Sequence, residues 1–240
     1  MTVKPYKNIE GGKKSQVASM FNNIAPKYDL LNHTLSLGID RLWRKRAIRL
    51  IGRIESPKVL DVATGTGDLA IALHKRLGAK VTGLDISSEM LKIASTKIKR
   101  DKILNVDFVM GDSESLPFDD NQFDAVTVAF GVRNFENLDK GLAEMMRVLR
   151  PKGKMIILEF SKPQLFPLKQ LYNFYFKKIL PFIGGLVSKD KDAYTYLPES
   201  VDHFPQGNEF IKVLQEIGMM NVSQRRQTFG IATIYYCEKP

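Results

Sequence analysis

The stretch VLDVATGTGDLA, residues 59–70, constrains the fold more than any other part of the chain. A β-branched run passes through a glycine turn directly into a helical pattern. Gly65, Gly67 and Ala70 satisfy G-x-G-x-x-G/A, the spacing that lets a ligand approach bare backbone at a helix N-terminus. The same alternation runs on. KVLDVA (58–63) reads as a strand before helix 68–77, and KVTGLDI (80–86) as a strand before helix 88–99. NVDFVMG (105–111) and FDAVTVAF (123–130) are further strands, and helix 137–149 leads into the strand KGKMIILEF (152–160). Strands separated by helices predict right-handed βαβ units, hence an α/β fold with a mostly parallel sheet and helices on both faces. Helix 208–217 is followed by runs 221–229 and 231–239 with only Gly230 between them, which predicts a C-terminal antiparallel hairpin.

Two segments stand outside this pattern. Residues 1–53 are helical in pattern and hold eleven Lys/Arg against Glu10, Asp29 and Asp40, so they carry most of the chain's net charge of +10. Such a flank suits nucleic acid, an anionic membrane surface or simply a solvated helix face. Residues 161–207 hold nine of the chain's 23 aromatic side chains, so this insert is expected to cover something apolar. One cysteine, Cys237, excludes an internal disulfide and any multi-cysteine metal site, and no metal is expected. The first residues carry no signal-peptide pattern and no stretch approaches the ~20 apolar residues of a spanning helix. The expectation is one cytoplasmic domain over residues 1–240.

The acidic residues around the glycine turn suggest what binds there. Asp85 ends the second predicted strand, where a carboxylate can accept both hydroxyls of an adenosine ribose. Asp61 sits at the end of the first strand, where a buried carboxylate can organise the loop and face a cationic amino group. A dinucleotide would want backbone N–H groups and no anion near its pyrophosphate. GDSESLPF (111–118) offers Asp112 and the Ser113 backbone to an adenine edge. S-adenosyl-L-methionine fits this set better than a nicotinamide dinucleotide.

The run from Asp61 to Gly67, with Asp85 and Asp112-Ser113, resembles class I S-adenosylmethionine-dependent methyltransferases, whose sheet is Rossmann-like. YDLLNHTLSLGIDRLWRKRA (28–47), AFGVRN (129–134) and RVLRPKGKMIILEFSKP (147–163) resemble one branch, the ubiquinone/menaquinone biosynthesis C-methyltransferases, and the likeness covers nearly the whole chain through ESVDHFP (199–205). The resemblance implies cofactor contacts at Thr66, Asp85, Asp112 and Ser113. Ala129 stands where some members have serine, which removes one possible hydroxyl contact. It also implies carbon methylation of a polyprenylated demethylmenaquinol, with the methoxy-benzoquinol of the ubiquinone branch as the alternative ring.

The nucleophile for that reaction must be the reduced quinol, because both the quinone ring and the methyl donor are electrophiles. Arg133 and Asn134 follow the fourth predicted strand at the edge where open α/β sheets bind ligands, and are expected to stabilise and orient the quinol oxygen. His33 and His203 are candidate proton acceptors, with water competing. Tyr28, Asp29 and Asn32 are candidates for a lid. Glu159 is expected to face the site or to pair with Lys162. In the insert, Leu168, Leu171, Tyr172, Tyr175, Phe176 and Ile179 recur at 3–4 spacing among Lys169, Lys177 and Lys178, which suits an isoprenoid groove, a helix at a bilayer surface or core packing. Peripheral contact with an anionic membrane is expected and a homodimer is left open. An RNA or DNA methyltransferase is disfavoured, because AFGVRN replaces the [DN]-P-P-aromatic loop that grips a flipped base. A non-catalytic adenosine-binding module is the remaining alternative.

Overall fold

A computed structural model describes residues 3–6, 10–179 and 191–240. Two helices precede the sheet, α1 (Lys13–Leu35) and α2 (Ile39–Arg49). They are followed by β1 (Lys58–Val62), α3 (Asp68–Leu77), β2 (Lys80–Asp85), α4 (Ser88–Arg100), β3 (Val106–Met110) and β4 (Phe123–Ala129). A 3-10 turn, Val132–Asn134, leads to α5 (Leu138–Val148) and β5 (Leu149–Phe160). The insert contains α6 (Leu168–Phe174), a π turn (Tyr175–Ile179) and α7 (Lys191–His203); α8 (Asn208–Glu216), β6 (Met220–Gln227) and β7 (Ala232–Glu238) complete the chain. Phe182 falls in 180–190, outside the described residues, and the side chains of Lys177, Lys178 and Tyr194 are also outside the description.

The seven strands lie in the order β3-β2-β1-β4-β5-β7-β6. β1 to β5 are mutually parallel, and β7 runs antiparallel between β5 and β6. The predicted α/β class, parallel sheet and terminal hairpin are all present. Pleating sends alternate residues of β1 to opposite faces. Leu60 and Val62 pack with Leu142 and Met145 of α5 and Phe210 of α8, whereas Val59 packs with Trp43 and Ile48 of α2 and Leu73 of α3. A third apolar cluster joins α1 (Val17, Met20, Ile24) to Met90 of α4 and to Tyr172, Phe176 and Tyr196 of the insert. The two segments that broke the sequence pattern therefore pack against each other, above the sheet's ligand edge.

Candidate active site

β1 has neighbours on both sides, β2 and β4, whose connections leave in opposite directions; this is the switch point where open α/β sheets form a crevice. A cleft of about 80 Å³ lies there, between the turn after β1, the end of β2, residues 111–114 and the turn after β4, with α1 closing it through Lys14, Val17 and Phe21. Gly65 takes a positive φ of 57° with nothing within 4 Å of where a Cβ would stand, so its backbone faces open space. Its N–H donates to Asp85 Oδ2 at 2.7 Å, and the Ser87 N–H donates to Oδ1 at 2.8 Å. Burial raises the Asp85 carboxyl above the usual range, and the backbone N–H groups of Ser87 and Gly65 oppose that rise. Each oxygen retains acceptor capacity for hydroxyls in the cleft.

Asp112 and Ser113 line the far end of the cleft. Asp112 Oδ1 accepts from the Glu114 N–H at 2.9 Å, while Lys14 of α1 ion-pairs with Asp112 Oδ2 at 2.6 Å and with Glu114 at 3.0 Å. Asn134 also lines the cleft, and its Oδ1 is buried without a partner among the described residues. An orphaned amide oxygen and a two-oxygen carboxylate, beside a glycine whose backbone faces open space, form an acceptor set that fits the hydroxyls and amino group of S-adenosylmethionine.

Three expected contacts do other work. Asp61 does not line the cleft; it lies in register with Thr127 and accepts hydroxyl hydrogen bonds from Thr127 at 2.7 Å and Thr64 at 2.6 Å. Burial pushes its carboxyl up to about 6, against the pull of those two hydroxyls. Its two hydroxyl partners make it an organiser of the loop. The Thr66 hydroxyl donates to Asp29 of α1 at 2.5 Å and accepts from Lys97 at 3.0 Å, so it ties down α1. At Gly67, φ is 81° and a Cβ would stand 2.7 Å from Phe108 Cζ, so this glycine serves close packing of the turn.

A second, larger cavity of about 410 Å³ adjoins the first, and Phe21, Tyr28 and Phe130 line both. Its wall is drawn from α1, α2, β5, the insert and the turn before β7, and it is mostly aromatic and aliphatic. Arg133 lines it. The guanidinium ion-pairs through Nη1 with Glu159 Oε1 at 2.8 Å, donates from Nη1 to the Phe130 carbonyl and from Nε to the Ser200 hydroxyl at 3.3 Å. Among the described residues Nη2 has no such bond. Glu159 is fully buried and also accepts backbone N–H bonds from Arg133 and Phe160; burial raises its carboxyl and the Arg133 charge opposes the rise. It holds Arg133, not Lys162, which pairs with Asp202 at 2.8 Å.

Arg133 and Asn134, expected to share one oxygen, diverge: successive residues of the 3-10 turn send Arg133 to the large chamber and Asn134 to the small cleft. Neither histidine candidate is among the residues that line these two cavities. His33 is bracketed by Asp40 at Nδ1 and Asp68 at Nε2, each 3.2 Å away, in a network that includes Arg44. His203 is exposed in the last turn of α7, with Nδ1 2.8 Å from the Glu199 carbonyl of the preceding turn. Of the lid candidates, Tyr28 and Asn32 line the chamber and Asp29 makes the Thr66 contact.

Lys13 and Tyr196 were not singled out for roles of their own by the sequence. Lys13 Nζ donates to the carbonyls of Arg133 at 2.9 Å and Phe135 at 2.8 Å, joining α1 to the turn after β4; burial and the Arg133 charge bring its pKa down to about 8, against the pull of Glu136 and Glu114. A lysine at a helix start carries no local signal of a partner 120 residues away. Tyr196 was one aromatic among nine.

The ubiE/COQ5 methyltransferase family model matches residues 9–239. The chain belongs to this family. A demethylmenaquinone methyltransferase of Bacteroides fragilis is 49% identical, over 99% of this chain and 97% of the relative. The ubiquinone/menaquinone biosynthesis C-methyltransferase UbiE of Geotalea daltonii is 44% identical, over 98% of this chain and all of the relative. Among solved structures, phosphoethanolamine N-methyltransferase 2 of Haemonchus contortus in complex with S-adenosyl-L-methionine shares the fold at TM-score 0.61 and 15% identity, over 82% of this chain and 52% of that one. As a ubiE/COQ5 methyltransferase, the protein is an enzyme that takes its methyl group from S-adenosylmethionine.

Proposed function

We propose that the enzyme methylates a ring carbon of demethylmenaquinol, with the reduced ring in the 410 Å³ chamber and the polyprenyl tail leaving through its mouth. The observation that carries this reading is the aromatic chamber sharing Phe21, Tyr28 and Phe130 with the cofactor cleft, with the Arg133 cation set in an otherwise largely apolar wall. The name of the Bacteroides relative points to the same ring.

S-adenosylmethionine, bound in the cleft, supplies an electrophilic methyl on a sulfonium. Asp85 would accept the ribose hydroxyls, Asp112 and the Ser113 backbone would meet the adenine, and Asn134 Oδ1 is the acceptor left for an amino group. In the chamber, a phenol near pKa 10 must ionise before its neighbouring carbon attacks, about 4 kcal/mol uphill at pH 7. The Arg133 guanidinium offsets that cost by holding the phenolate, and it cannot itself take the proton. With His33 and His203 away from the chamber, the proton leaves by the open mouth to solvent.

Leu37, Leu171 and Phe229 line the chamber yet are 84%, 61% and 76% exposed, so they mark the mouth. Leu165, Phe166 and Phe174 are exposed beside Leu171 on the same stretch of chain. Lys169 and Arg226 are exposed nearby, and Arg46 bonds Gln227 beside the Phe229 turn at 2.7 Å. Among the described residues no helix is long and apolar enough to cross a membrane. This apolar rim with cationic neighbours suits docking on an anionic bilayer, where each buried CH₂ contributes about 0.8 kcal/mol and each basic residue about 1 kcal/mol.

One experiment tests ring and membrane together: labelled methyl transfer to long-tailed substrates carried in vesicles. Demethylmenaquinol in anionic vesicles is expected to be methylated faster than in neutral ones. Transfer only to a methoxy-benzoquinol would move the enzyme to the ubiquinone branch, and equal rates in both vesicle types would remove the electrostatic docking.

A further inference from the structure

Tyr172 of α6 and Tyr196 of α7 both line the chamber, and both hydroxyls are buried without a hydrogen-bond partner among the described residues. An unpaired buried hydroxyl destabilises the fold, and phenylalanine in either place would avoid that cost while keeping the ring. Among the described residues nothing supplies a partner to either hydroxyl. Their position says what that partner is. Tyr196 lies one helical turn before Ser200, whose hydroxyl accepts from Arg133 Nε, so α7 brings it towards the guanidinium. Tyr172 comes from the other arm of the insert, its ring stacked on Phe176 with centroids 4.1 Å apart. The charges of Arg133 and Glu159 act on both phenols, and the Asp202 carboxylate acts on Tyr172 more strongly than either. Two hydroxyls, unpaired among the described residues and carried on separate helices, thus line the same chamber as the Arg133 cation.

We infer that Tyr172 and Tyr196 are substrate-binding residues that hydrogen-bond the two ring oxygens of the quinol and so set which ring carbon faces the cofactor cleft. This rests on the chamber being the quinol site. Burial pushes the Tyr196 phenol up to about 12 and moves that of Tyr172 upward as well, so both remain protonated at neutral pH. They act as neutral donors and acceptors, not as bases. Apolar contacts alone would hold the ring but leave it free to turn in its plane. Two fixed hydrogen bonds remove that freedom, which is where alignment gains rate.

The test is Tyr172→Phe and Tyr196→Phe, each assayed beside the wild-type enzyme with a short-tailed naphthoquinol and with the matching naphthol that has a single ring hydroxyl. Each variant is expected to lose roughly tenfold or more in kcat/KM on the quinol, with Tm unchanged or raised and cofactor affinity intact. On the naphthol, whichever tyrosine serves the missing oxygen is expected to lose its effect, which a purely structural role would not produce. Full activity of both variants on the quinol would overturn the inference while leaving the function standing. A wild-type enzyme inactive on both substrates would instead overturn the function.

Discussion

Asp85→Ala is expected to weaken binding of S-adenosylmethionine by about 10²–10⁴-fold, the loss of two hydrogen bonds to a charged group at roughly 1.5–3 kcal/mol each. The same substitution strips the acceptor from the Gly65 and Ser87 N–H groups, so the turn loses its anchor as well as its ligand contact. Asp85→Asn keeps one acceptor oxygen and exchanges the other for a donor, and its loss is expected to fall between alanine and wild type. Titration calorimetry with the cofactor reads both. Unchanged affinity in the alanine variant would show that the cofactor does not sit on this carboxylate.

Arg133→Ala is expected to give the opposite pattern: near-normal cofactor affinity with kcat lower by about 10²–10³, the scale seen when one preorganised donor to a developing oxyanion is removed. The variant also leaves Glu159 buried and unpaired, and breaking a buried pair costs roughly 3–5 kcal/mol. The cleaner form is therefore Arg133→Ala combined with Glu159→Gln, which removes the stranded charge. Recovery of stability without recovery of kcat would separate the two roles of the guanidinium. Equal loss of cofactor binding and turnover would place Arg133 in the cofactor site or the fold.

The strand and helix framework was legible in the sequence because each of its signals is local. The helix after the glycine turn was expected over 68–77 and is found there, and the β6–β7 hairpin closes through residues 228–230 around the expected glycine. Strand ends moved by only a few residues, since β-branched runs continue into turns that no longer pair. The ligand-edge carboxylates Asp85 and Asp112 were legible for the same reason. What failed was long-range. Thr66 lies within the glycine turn yet bonds Asp29, 37 residues away, so proximity in sequence to a ligand loop did not make it a cleft residue. His33 lies inside the most distinctive stretch of the chain, but its ring is held by Asp40 and Asp68. Arg133 and Asn134 are adjacent in sequence and part at a 3-10 turn that no periodicity signals.

The aromatic insert was read as a cover over something apolar, and the described part of it is one wall of the chamber. Much of the remaining wall is α1, which carries the lid candidates Tyr28 and Asn32. Of the eleven basic residues in 1–53, Lys13 is buried against the turn after β4 and Lys14 spans Asp112 and Glu114. Part of the N-terminal positive charge therefore closes the cofactor cleft. Arg46, on the outer face of α2, is exposed and donates to Gln227.

The most direct test of the account is transfer of labelled methyl from S-adenosylmethionine to a demethylmenaquinone analogue, run with and without a reductant that converts it to the quinol. The chamber as described offers a cation to an ionised ring oxygen and nothing that would make an electron-poor ring attack. Ring methylation only under reducing conditions is the predicted result. Equal transfer to the oxidised ring, or transfer to neither form with cofactor binding intact, would contradict it.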